Sequence, residues 1–123
     1  LYSNEKIMID GAHAEADAKN LANYLKTIKL PKYGIWAMMK NKEPNQFIKH
    51  FKGIFEKIIT IPIENEQSSM PSKVLYQIAL KNKLNVEKAN SFYEALNKIS
   101  SKEKKLIICF GSLYNVGNIL NKN

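Results

Sequence analysis

Three short polar runs carry the residue types that chemistry would need. In Asp10-Gly11-Ala12-His13 a carboxylate, a glycine and an imidazole fall within four positions. The Asp10 carboxylate can accept from a ribose hydroxyl or a ligand amine. Gly11 admits an unusual backbone angle or the close approach of a ligand, and His13 can donate to a phosphate or carboxylate. In Gly111-Ser112 a glycine and a hydroxyl follow an apolar run. Free amides at a helix start favour an anion there, and Ser112 adds a donor. Lys40-Asn41-Lys42-Glu43 brings two ammonium groups to a turn, where they can meet phosphates. Each run also has a plainer reading: Asp10 as a turn cap with His13 on the surface, Ser112 as an N-cap, and the lysines as a solvated turn.

These runs matter only if the chain positions them, and apolar runs alternating with helix-period segments point to α/β. Lys6-Ile7-Met8-Ile9 reads as a strand that ends at the Asp10-Gly11 turn signal. Ala14, Ala18, Leu21, Leu25 and Ile28 then mark one face of a helix, which Pro31 stops. Tyr33 to Met39 is a second strand, apolar at successive positions as in a parallel sheet. Pro44 opens a helix with Phe47, Ile48 and Phe51 inward. Glu56 to Ile63 is a third strand and Pro62 to Met70 a loop. Pro71 starts a helix with a stripe of Val74, Leu75, Ile78 and Ala79. Asn85-Val86 reads as a short strand. Ser91 and Glu94 match a capping box and open a helix carrying Ala95, Leu96 and Ile99. Lys105 to Phe110 is the final buried strand, before a last helix with Leu113, Val116, Ile119 and Leu120 inward. The fold class expected is α/β: a Rossmann-like three-layer sandwich, a mostly parallel sheet of about five or six strands flanked by helices. Strand order is not readable, and one strand is free to run antiparallel. Ligands in such open sheets gather at the carboxyl ends of the strands, where all three polar runs fall.

A length of 123 residues suits one compact domain, 1–123. Hydrophobic residues make up 45%, enough to build a core. The net charge is +8 and every one of the 19 basic residues is lysine. Guanine readout and phosphate clamping favour arginine, and the lysines are scattered, so no nucleic-acid partner is expected. No apolar stretch approaches the roughly 18 residues that span a bilayer, so no membrane partner is expected either. The single cysteine, Cys109, lies in Leu106-Ile107-Ile108-Cys109-Phe110 and reads as a reduced core thiol, which fits the cytoplasm. The two histidines, His13 and His50, have no zinc-type spacing. His50 is expected to be exposed on a lysine-flanked helix. The chain holds no phosphate loop, no Gly-x-Gly-x-x-Gly and no Gly-x-Ser-x-Gly elbow, so no metal site and no self-sufficient catalytic set is expected. It opens on Leu1 without an initiator methionine, and a piece of a longer protein is expected.

Taken together, the three runs carry a resemblance. Ile9-Asp10-Gly11-Ala12-His13 resembles the Asp-Gly-Ala-His-Asn-Pro motif that opens the C-terminal domain of folylpolyglutamate synthases and dihydrofolate synthases. Gly111-Ser112-Leu113-Tyr114-Asn115-Val116-Gly117 is similar to the Gly-Ser-Leu-Tyr-x-Val-Gly run near that domain's end. Ala37-Met38-Met39-Lys40-Asn41-Lys42-Glu43 resembles its Gly-Met-Leu-x-Asp-Lys-Asp turn. The order and spacing match, and the three span nearly the whole chain. Ala14 and Glu15 stand where the family has asparagine and proline. Asn41 and Glu43 stand where it has aspartates.

The resemblance implies a Mur-ligase-type C-terminal domain of a longer, ADP-forming amide ligase whose central ATPase domain this chain lacks. In such an enzyme ATP phosphorylates a carboxylate of dihydropteroate or a reduced folate, and L-glutamate attacks the acyl phosphate. Most of the ATP and Mg2+ binding is implied for the central domain. Here Asp10 is implied to help hold ATP, and His13 and Ser112 to face glutamate and the reacting phosphate. Gly11, Lys42, Gly111 and Tyr114 are implied as further contacts. The domain alone is expected to be inactive. Two rival readings are the C-terminal domain of a peptidoglycan Mur ligase and a non-catalytic binding or interaction module on the same fold.

Overall fold

The computed structural model describes residues 5–10 and 14–111. Five strands alternate with four helices: β1 (Glu5–Ile9), α1 (Glu15–Leu25), β2 (Lys32–Ala37), α2 (Pro44–Ile48), β3 (Lys57–Thr60), α3 (Ser72–Lys81), β4 (Val86–Lys88), α4 (Phe92–Ile99) and β5 (Lys105–Gly111). A 3-10 turn, Lys49–Phe51, extends α2. The strands form one sheet in the order β1-β5-β2-β3-β4. All pairings in it are parallel, so the α/β class stands and no strand of the sheet is reversed. The helix expected over Leu113–Leu120 lies outside the described residues.

The order explains the layers. Parallel crossovers share one hand, so connections that step in one direction put their helices on one face. β1 through β4 step one way, and α1, α2 and α3 pack on that face. The step from β4 back to β5 reverses, and α4 packs on the other face. Side chains alternate accordingly. Trp36, Met38, Ile58, Ile108 and Phe110 meet α1–α3. Ile35, Ala37, Ile59, Ile107 and Cys109 meet Phe92, Ala95 and Ile99 of α4. Phe110 is the hub of the first core, with ring centroids 4.9 Å from Phe51, 5.2 Å from Phe55 and 5.8 Å from Phe47. Gly34 makes room for it: a Cβ there would lie 2.8 Å from the Phe110 ring.

Several elements depart from the sequence reading. β3 ends at Thr60 rather than Ile63, because Pro62 has no amide to continue the ladder, although Ile61 and Ile63 remain buried. β4 extends to Lys88, past the two residues expected. Val74 is exposed; α3 buries the narrower stripe of Leu75 and Ala79, one turn apart. The Ser91 hydroxyl accepts from the Glu94 amide at 3.1 Å, as a capping box requires. The Glu94 carboxylate instead accepts from the Asn90 amide at 3.1 Å, one residue earlier than expected. Among the described residues no helix is long and apolar enough to cross a membrane.

Cys109 is buried, and burial pushes its thiol pKa up to about 12. At neutral pH it should resist an alkylating reagent until the chain unfolds. Labelling followed by mass spectrometry across a urea gradient checks this, with modification expected to track the unfolding transition rather than precede it.

Candidate functional site

The strand order brings the three polar runs together. β1, β5 and β2 are adjacent, and each run leaves its strand at the carboxyl end. The register is level: Ile9 pairs with Cys109 and Ala37 with Gly111. The Asp10 amide continues the ladder, donating to the Cys109 carbonyl at 2.9 Å. Asp10 is half-buried at this end. Gly11, His13, Ser112 and Tyr114 lie outside the described residues, so the described part of the site consists of Asp10, Gly111 and the Lys40–Glu43 turn.

Gly111 is demanded twice over. Its φ is +96°, where side chains are strained. A Cβ there would also sit 2.1 Å from the Ala37 carbonyl oxygen and 2.9 Å from Cδ1 of Trp36. β5 therefore ends pressed against the end of β2. The indole Nε1 of Trp36 is buried beneath this junction with no hydrogen-bond partner among the described residues. The Lys40–Glu43 turn is ordered by backbone bonds, with the Lys42 amide donating to Met39 O at 3.2 Å and the Lys40 amide to Ser68 O at 2.7 Å. Lys42 itself is half-buried and Lys40 exposed.

The start of α1 shows what the departures at Ala14 and Glu15 do. Ala14 is the N-cap and no side chain caps the helix. Glu15, in the first turn, is held by His50 at 3.0 Å and Lys49 at 3.2 Å. Hydrogen bonds from His50 and Lys49 lower its pKa from the ordinary carboxylate value. His50 is thus not the free surface group expected: it is half-buried and tied to α1. Lys105 opens the buried strand β5, as expected, but its ammonium is buried with it rather than joining the scattered surface lysines. Lys105 is buried at 2% exposure and donates to the Ile99 carbonyl and the Ser101 hydroxyl. Its ammonium lies 4.9 Å from the centre of the Tyr33 ring. Nothing in the sequence marks it except the nearby Ser101.

Lys105 lines a cleft of about 430 Å³ with Tyr33, Lys57 and Lys98. That cleft opens at the amino ends of β2, β3 and β5, the end opposite the polar runs. Its cations are engaged internally, Lys57 and Lys98 with Glu87 and Lys105 as above, so it reads as a polar seam rather than as the site. Among the described residues no group of three or more His, Cys, Asp or Glu side chains is placed to hold a metal ion.

Comparison with known proteins fits this geometry. The family described as dihydrofolate synthetase, C-terminal domain, matches residues 2–122. The chain belongs to that family. No curated protein matches. Among solved structures, E. coli FolC in complex with DHPP and ADP is 15% identical over 99% of this chain and 29% of its own, with a TM-score of 0.82. The Mycobacterium tuberculosis folylpolyglutamate synthase complexed with ADP is 17% identical over 94% of this chain and 29% of its own, with a TM-score of 0.83. The Thermotoga maritima folylpolyglutamate synthase is 24% identical over 98% of this chain and 28% of its own, with a TM-score of 0.78. At these identities the likeness concerns the fold. The dihydrofolate synthetase domain here spans less than a third of the length of those chains.

Two outcomes follow. Gly111→Ala should destabilise the domain by about 3 kcal/mol, combining backbone strain with a steric clash; a shift in the urea midpoint at unchanged slope checks it. The Glu15 contact is tested by pH. Because the folded pKa is lowered, its contribution is full above the ordinary carboxylate value and is lost as pH falls through the folded value. Because the pair is exposed and screened, Glu15→Gln should shift the denaturation midpoint only slightly at pH 7 and not at all at pH 2, read at both.

Proposed function

We propose that this chain is the C-terminal domain, residues 1–123, of an ADP-forming ligase that joins L-glutamate to dihydropteroate or a reduced folate. The observation that carries the reading is the convergence of the three family-like runs on the carboxyl ends of adjacent strands, in a chain of the dihydrofolate synthetase C-terminal family. Related solved structures are described as complexes with ADP and DHPP, and with AMPPNP, Mn and L-glutamate. The metal, most of the nucleotide site and the central ATPase domain are assigned to the rest of a longer, cytoplasmic enzyme.

In this reading the terminal phosphoryl group of ATP passes to the substrate carboxylate, giving ADP and an acyl phosphate. The glutamate amine then attacks the acyl carbon, phosphate leaves, and the amine loses a proton. This chain's contribution is positioning. Asp10 accepts from the ribose, His13 and Ser112 align glutamate and the phosphate, and Gly11, Gly111 and Tyr114 are assigned as further contacts. Lys42 offers a cation to the same anions. Closing the domain over the acyl phosphate keeps out water that would hydrolyse it and orients the amine for attack.

The test is ADP release by the full-length chain with ATP, magnesium, dihydropteroate and glutamate. Glutamate-dependent release is expected, with His13→Ala and Ser112→Ala each reducing kcat/KM by about a hundredfold, the scale for losing one positioned donor. No turnover with dihydropteroate or reduced folates by a folded full-length chain would overturn the ligase reading and favour a binding module. The isolated 123 residues should show no calorimetric ATP binding at micromolar concentration.

A further inference from the structure

The loop between β3 and α3, residues 61–71, reads from sequence as a plain connection, but its backbone folds back onto the site end of the sheet. The Lys40 amide donates to Ser68 O at 2.7 Å and the Met70 amide to Met38 O at 2.8 Å. Met39 and Ser69 form an antiparallel bridge between them. The loop thus lies beside the end of β2 as a short reversed ribbon, and the Lys40–Glu43 turn grows from its edge. Buried Ile61, Ile63 and Met38 anchor the two sides.

One side chain holds the ribbon in shape. The Ser69 hydroxyl accepts from the Ile63 amide at 2.7 Å and sits 3.3 Å from the Met70 carbonyl, to which it donates. It closes the loop on itself where Asn65, at φ 60°, reverses the chain. A turn after a parallel strand ordinarily leaves its amides to water and samples several shapes. This one cannot, because its first amide is tied to the ribbon. The turn carries Lys42, a half-buried lysine whose ammonium has no hydrogen-bond or ion-pair partner among the described residues. Lys49, Lys57 and Lys98, by contrast, all have carboxylate partners.

We infer that Ser69 is a positioning residue: through the 61–71 ribbon it sets the Lys40–Glu43 turn and so acts on anion binding by Lys42. The ligand class is a carboxylate or phosphoryl oxygen, and the inference rests on the proposed ligase reading for which anion that is. Ser69 touches no reacting atom. It is half-buried rather than part of a core cluster, so the fold should survive loss of its hydroxyl.

The experiment uses the full-length chain with Ser69→Ala, Ser69→Thr, Lys42→Met and the Ser69→Ala/Lys42→Met double variant. It reads kcat, the KM for glutamate and for ATP, and hydrogen exchange at the Lys40 amide. Ser69→Ala should raise one KM on the order of tenfold with little change in kcat, the effect of a misplaced rather than a missing group. It should also quicken Lys40 exchange. Ser69→Thr, which keeps the hydroxyl, should restore both. The double variant should be no worse than Lys42→Met alone. Unchanged kinetics or exchange in Ser69→Ala, beside an impaired Lys42→Met, overturns the inference and leaves the ligase reading intact. Normal kinetics in Lys42→Met overturns the action through Lys42 while turnover itself still stands. Absence of turnover from the unsubstituted chain instead removes the ligase reading and, with it, the claimed effect on binding.

Discussion

The structure depends on β5 fitting between β1 and β2. All seven of its residues are buried, so no position on either face is left to solvent. Its two ladders join strands that otherwise do not meet, and its side chains divide between both cores, Phe110 to one and Cys109 to the other. The fit is tight: Gly34 gives way to Phe110, and Gly111 lets β5 end against Ala37. The same insertion makes the site, because it sets the end of β5 between the ends of β1 and β2.

The elements were legible because their periodicities are local. Ile35-Trp36-Ala37-Met38 and Leu106 to Phe110 announce buried parallel strands by unbroken apolarity, and α1 by its repeat from Ala18 to Leu25. Their arrangement was not legible. Strand order is set by pairings between residues about a hundred positions apart, such as Ile9 with Cys109, and no local pattern encodes those. The polar runs could be named from sequence, but their convergence could not. The buried ammonium of Lys105 was missed for a related reason. Its partners include a backbone carbonyl, the face of Tyr33 and the Ser101 hydroxyl; the first two have no spacing to search for, and a lone serine four residues away is too common to single out.

The departures from the family-like motifs have local physical consequences. Alanine at the N-cap removes a capping side chain from α1, a loss that weakens helix starts. Glu15 partly offsets it: an acidic group in a first turn suits the helix dipole, and its ties to Lys49 and His50 fasten the helix start to the element after the Lys40–Glu43 turn. Its charge faces the Lys49 ammonium and the His50 ring. Exposed pairs of this kind contribute little to global stability, so their effect is on where the first turn of α1 sits.

The position of β5 in the sheet also imposes an order in time. A chain emerging from the ribosome presents β1 through β4 first, yet β1 has no neighbour in the described sheet except β5. Until residues 105–111 are made, the first strand has nowhere to pair, and loop closure over so long a span is slow. The candidate site therefore forms only once residues 105–111 are available. A nascent chain stopped before residue 105 carries the Asp10 run and the Lys40 turn without the strand that joins them.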